Sequence, residues 1–212
     1  MDERAYAAMM RMTIHPLFLP LLFGLILYGN VSYYALILSS LLVHELGHML
    51  VAWLLGVKVK RCVIMPYGGE IELEGGYALS PHKQLLISLG GPVATFCFML
   101  MASFLDPILA KQLIKIQMIL LLINLIPVWP LDGGRIVFSL ILIFSKKVKM
   151  YELFLAISLI LISLSAIITF VMLPQTLFLF VLSIFLWMKV VQEWRYRKYR
   201  IAFEKYVLNR LT

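Results

Sequence analysis

The stretch YYALILSSLLVHELGHMLVAWLLG, residues 33–56, decides the fold. It is apolar and long enough to cross a hydrocarbon core of roughly 30 Å, yet His44, Glu45 and His48 lie near its middle. An ionisable side chain at that depth costs a few kcal/mol on insertion scales, so three within five residues must be paired, metal-bound or facing a wet cavity. On a helix, residues four apart return to the same face, and both imidazoles can reach one metal. Glu45 follows His44 by about 100° of rotation, off the metal axis, where it can hold a water bound to the metal. Chance produces His-Glu-x-x-His in roughly 0.3% of sequences with these His and Glu frequencies.

The remainder of the chain also reads as a membrane protein. Of its 212 residues, 62% are hydrophobic and 14% charged, whereas soluble domains run nearer a quarter charged. Candidate spans fall at about 14–30, 34–56, 83–105, 111–144, 151–172 and 175–194. The first ten residues carry both charge signs, and no small-residue cleavage site follows the first apolar stretch. That span is therefore read as a retained helix and not as a secretory signal. With the N-terminus in the cytoplasm, sixteen of the 19 basic residues fall inside; only Lys111 and Lys115 fall outside, and Arg135 lies within a span. This is a strong positive-inside bias. The net charge of +8 then encodes topology, with both termini cytoplasmic, and needs no nucleic-acid partner. Cys62 and Cys97 offer neither a disulfide framework nor thiolate metal spacing, and read as apolar fillers.

The fourth span is too long for one crossing and is interrupted by NLIPVWPLDGGR, residues 124–135. Pro127, Pro130, Gly133 and Gly134 remove helix hydrogen bonds and free the backbone, which is tolerated at membrane depth only beside protein or a water-filled cavity. The alternative is a simple proline kink with Asp132 paired to Arg135. The expected fold is an all-α polytopic membrane protein of about six transmembrane helices, with a broken fourth helix and a small β-hairpin after the second. Residues 1–194 form the membrane domain, 57–80 its hairpin insertion, and 195–212 a basic, aromatic-laced amphipathic tail against anionic headgroups of the lipid bilayer.

A catalytic zinc usually takes three protein ligands plus water. No third histidine lies within a span, since His15 and His82 are near span entries; Asp132 is the best remaining candidate. His44, His48 and Asp132 would make an open site for one Zn²⁺ per chain. Water activated there would attack a peptide carbonyl while Glu45 accepts its proton and passes it to the departing amine. Asn124 either donates to the oxyanion or the substrate backbone, or simply stabilises the helix end. In the segment 57–80, alternation in VKVKR and EIELE fits a hairpin whose free edge receives an extended substrate. Gly68 and Gly69 belong to that substrate surface or serve only the turn.

HELGH on the second span together with NLIPVWPLDGGR on the fourth resembles the site-2 protease family of intramembrane zinc metalloproteases. IHPLFL at 14–19, MPYGGEIELE at 65–74 and the six spans extend the resemblance over nearly the whole chain. It implies His44, His48 and Asp132 as zinc ligands, Glu45 as catalytic acid/base, and Asn124, Pro127 and Pro130 as a substrate-handling framework. The sporulation branch of the family implies more: a membrane-associated sigma-factor precursor (pro-sigma-K-like) as substrate, inhibitory membrane proteins as partners, and residence in the mother-cell membrane surrounding the forespore. Two departures stand out. Many relatives carry Gly-Pro-x-x-Asn on the third span, whereas residues 91–95 end in Thr95, so the role of that Asn is not carried over. No nucleotide-sensing CBS domain follows the last span before Thr212, so ATP regulation is not carried over either. The competing reading from another class is a membrane metal transporter, which would want polar residues relayed along a path, not gathered at one depth.

Overall fold

The structure is a computed structural model and describes residues 11–14, 31–65, 68–73, 79–145 and 148–211. In chain order these form β1 (Arg11–Ile14), α1 (Val31–Leu54), β2 (Val59–Met65), β3 (Gly68–Leu73), α2 (Pro81–Met101), a 3₁₀ turn (Ala102–Phe104), α3 (Pro107–Asn124), α4 (Asp132–Phe144), α5 (Val148–Val171) and α6 (Leu177–Leu211). Among the described residues, Ala35–Leu54, Pro81–Phe104, Pro107–Asn124 and Lys149–Val171 are long and apolar enough to cross a membrane. The expected first span lies almost wholly outside the described residues.

The distribution of side chains is that of a protein whose solvent is lipid. Phe104, Phe144 and Val171 stand exposed, while Ser40, Thr95, Gln117, Ser139 and Ser158 are buried. A water-soluble chain would reverse that arrangement. The chain is an integral, multi-pass membrane protein.

Two compact units divide it. The first holds β1, α1, the remaining strands, most of α2 and α3. Here α1 packs along α3: Gln117 Nε2 donates to Ser40 Oγ at 2.8 Å, and Ser40 donates to the Leu36 carbonyl at 2.6 Å. Leu41, Leu38, Leu42 and Leu120 fill the space beside them. Against α2 the approach is closer still. A Cβ placed on Gly90 would lie 2.6 Å from the Gly47 carbonyl oxygen, and one on Gly47 would collide with that of Gly90. Small residues at such a crossing let two membrane helices touch backbone to backbone.

The sheet runs β1-β2-β3. The expected hairpin is the antiparallel pair β2–β3, with Ile64 opposite Gly69 and Met65 opposite Gly68. β1 is an addition that the sequence reading placed partly in the first span: Arg11 to Ile14 lies parallel to β2, opposite Arg61 to Ile64. Gly68 and Gly69 are the first ladder residues of β3.

The second unit runs from Leu125 onward, together with residues 77–85. Its first feature is the expected break. Between α3 and α4 the chain turns through Leu125–Leu131 with Val128 N–H donating to the Ile126 carbonyl at 2.7 Å and Leu131 N–H to the Val128 carbonyl at 3.0 Å. The Trp129–Pro130 peptide is cis. Gly133 and Gly134 explain why this fold-back fits. A Cβ on Gly133 would sit 2.5 Å from the Ile126 carbonyl oxygen, and one on Gly134 would sit 2.6 Å from the Trp129 nitrogen. Val128 is buried with Ile162 and Val190, and Trp129 packs between that cluster and Phe138, Tyr151, Phe154 and Leu155.

A polar contact completes the attachment. Trp129 N–H donates to Ser158 Oγ at 3.3 Å, and Ser158 is wholly buried on α5. Replacing Ser158 by Ala removes that acceptor, which costs about 1 kcal/mol. Thermal unfolding in detergent is expected to shift down by roughly 2–4 °C. An unchanged midpoint would remove Ser158 from the set of residues that hold the break.

Farther along, α5 and α6 join through Tyr151, whose hydroxyl donates to Glu193 Oε1 at 2.7 Å. The sixth span and the tail, separated at residue 194 by the sequence reading, are one 35-residue helix. No proline or glycine occurs between Leu177 and Leu211 to end it. Arg197 bridges the supposed boundary, with Nη1 donating to the Trp194 carbonyl at 2.7 Å and the guanidinium 4.0 Å above the Trp194 ring.

Candidate metal centre

His44, Glu45 and His48 lie within α1, and all three are buried. Each imidazole is oriented from behind by α2. His48 Nδ1 is 2.7 Å from the Ile87 carbonyl oxygen. A carbonyl only accepts, so this nitrogen carries the proton, and in the neutral ring Nε2 then keeps its lone pair. The Gly91 N–H, 3.2 Å from the same Nδ1, is a poorer partner, because two donors cannot share that contact. His44 Nδ1 is 2.8 Å from Thr95 Oγ1, which is also buried.

With both Nδ1 atoms occupied, the two Nε2 atoms face each other at 3.3 Å, their rings nearly perpendicular at 86°. Two Zn–N bonds of about 2.05 Å at a tetrahedral angle place their nitrogens roughly 3.3–3.4 Å apart. The pair is therefore spaced as two ligands of one zinc. Room for the rings comes from Gly91, whose added Cβ would lie 2.7 Å from His44 Nε2 and closer still to His48 Nε2.

Asp132 opens α4 and is buried. The first turn of a helix favours a carboxylate, since unpaired N–H groups there give it a partial positive charge. Two imidazoles and a carboxylate, the donor types of His44, His48 and Asp132, are a set that suits zinc.

The other sequence-predicted residues occupy defined places. Asn124 is the last residue of α3 and is buried; Pro127 is exposed and Pro130 half-buried within the break. Gly68 and Gly69 begin β3, whose outer edge has no strand partner among the described residues. Cys97 is free and exposed. Sequence reasoning missed the supports of the histidines. Ile87 acts through its backbone, which no sequence displays. Gly91 and Thr95 stood in view as Gly-Pro-x-x-Thr, but only the structure reveals that they face His44 and His48.

The profile of Peptidase family M50 matches residues 32–113 and 106–167. Stage IV sporulation protein FB of Bacillus subtilis is 28% identical over 210 residues, covering 93% of this chain and 72% of its own length. A zinc metalloprotease of Methanocaldococcus jannaschii is 32% identical over 145 residues, covering 62% of this chain and 41% of its own. The solved site-2 protease from Methanocaldococcus jannaschii superposes with a TM-score of 0.64 at 26% identity, over 88% of this chain and 91% of that one.

Proposed function

The chain belongs to Peptidase family M50, the site-2 proteases, as an intramembrane zinc metalloprotease, and on that premise we propose that it cuts a membrane-associated sigma-factor precursor near the cytoplasmic face. The similarity to a sporulation protein over nearly the whole chain supports this substrate class. In the same reading both termini are cytoplasmic, the home membrane is the mother-cell membrane around the forespore, and inhibitory membrane proteins restrain the enzyme.

In this reading His44 and His48, through Nε2, and Asp132, through a carboxylate oxygen, hold the zinc. The observation that carries this is the 3.3 Å separation of the two imidazole nitrogens. Zinc, when bound, supplies a Lewis acid that brings the pKa of water toward 7 and polarises the substrate carbonyl. Glu45 takes the proton of the attacking water as its oxygen bonds to the carbonyl carbon. It then delivers that proton to the amide nitrogen as the C–N bond breaks, leaving a carboxylate and an amine. The Asn124 amide donates to the oxyanion or the substrate backbone. Pro127 and Pro130 stiffen the break on which Asp132 is mounted.

A peptide bond within a helix is sealed by its own hydrogen bonds, so the substrate must be extended. The outer edge of β3 provides a template for an added strand, and Gly68 and Gly69, lacking side chains, allow a close backbone approach. Co-expression with a tagged, membrane-associated sigma-factor precursor is expected to yield a shortened product. Cleavage of an unrelated membrane protein but not of this precursor would refute the substrate assignment alone. Zinc uptake into proteoliposomes without cleavage of any membrane protein would favour the transporter reading instead.

A further inference from the structure

The two imidazoles are supported unequally. Behind His48 is a main-chain carbonyl, that of Ile87, fixed by the helix it belongs to. Behind His44 is a side chain, Thr95 Oγ1 at 2.8 Å, with no exposed surface. Ile87, Gly91 and Thr95 are spaced by four on α2, so they line one face of that helix. That face runs along His48 and His44, themselves spaced by four on α1. Gly91 makes room for both rings, and the residues one turn to either side hold the two Nδ1 atoms.

We propose that Thr95 is a positioning residue for the metal centre: its hydroxyl accepts the Nδ1–H of His44, fixes the ring plane and leaves the Nε2 lone pair for zinc. The proposal rests on the reading of His44 as a zinc ligand. The chemistry selects the direction of the hydrogen bond. A ligating Nε2 is unprotonated, so the proton of the neutral ring is on Nδ1 and must be donated. Oγ1 is the acceptor placed to receive it. Removing that acceptor would bury an N–H without its partner and free the ring to turn about its Cβ–Cγ bond. Both effects weaken ligation. Outer-shell partners of this kind are typically worth 10–100-fold in metal affinity.

The test uses the full chain purified in detergent, with zinc affinity measured by competition against a chromogenic chelator, and the visible spectrum of the Co²⁺-loaded protein as a second readout. Thr95→Val keeps the side-chain shape and lacks the acceptor. It is expected to bind zinc about 10–100-fold more weakly, with altered cobalt bands. Thr95→Ser restores the hydroxyl, and is expected to restore affinity and spectrum together. Wild-type affinity and an unchanged spectrum in Thr95→Val would overturn the proposal. Should Thr95→Val fail to accumulate, Thr95→Ala against Thr95→Ser is read in the same way. His44→Ala separates the zinc-ligand role of His44 from the positioning role of Thr95. If it binds zinc as wild type does, the ligand assignment itself fails. If it loses zinc while Thr95→Val does not, only the role of Thr95 fails.

Discussion

Glu45→Gln is expected to bind zinc as tightly as wild type and to cleave at least 10²-fold more slowly, with up to about 10⁴-fold within range. The substitution is nearly isosteric and leaves His44, His48 and Asp132, the proposed ligands, untouched. What changes is proton transfer. A carboxylate accepts a proton from water and returns it to a leaving amine; a carboxamide does neither. Glu45 is buried, so bulk water is poorly placed to take over. The measurement pairs zinc content per chain with the yield of shortened substrate. Cleavage at the wild-type rate would remove Glu45 from the mechanism, while loss of zinc would reassign it to metal binding.

Gly91→Ala is expected to have an effect of similar size by a different route. One methyl group there would overlap His48 Nε2 and come within 2.7 Å of His44 Nε2, closer than real Cβ contacts fall. Gly91 is in the interior of α2, where its backbone cannot easily retreat, so the imidazoles must move off the positions that suit zinc. Zinc content is expected to fall more than tenfold, and cleavage with it. Gly56→Ala is the control. Gly56 has φ +68° but open space around its missing Cβ, so alanine there costs roughly 1–2 kcal/mol of backbone strain and leaves zinc content alone. Equal zinc content in Gly91→Ala and wild type would mean that the metal does not use these two nitrogens.

Much of this was legible in the sequence because the membrane makes polar residues conspicuous. His44, Glu45 and His48 in an apolar span announced a site, and two prolines beside two glycines announced the break that carries Asp132. Charge and length gave a membrane bundle, and alternation around residues 57–74 gave the β2–β3 pair. Other features have weak or no sequence signals. β1 is four residues long, too short for alternation to separate it from the apolar stretch that follows. The continuity of α6 was hidden by the change from apolar to basic composition, which is not by itself an end of helix. The carbonyl of Ile87 has no letter, and the meaning of Thr95 depends on which helix α2 crosses, and at what residue.

The contact between Gly47 and Gly90 bears on how the His-Glu-x-x-His signature should be understood in this chain. Its two unspecified letters are not equivalent. Leu46 points outward, 55% exposed, and should accept any residue at home in lipid; Gly47 has a neighbouring backbone where its side chain would be. A library randomising both positions would return diversity at the first and glycine at the second, so the five-letter word that reads as a metal site also spells a helix crossing.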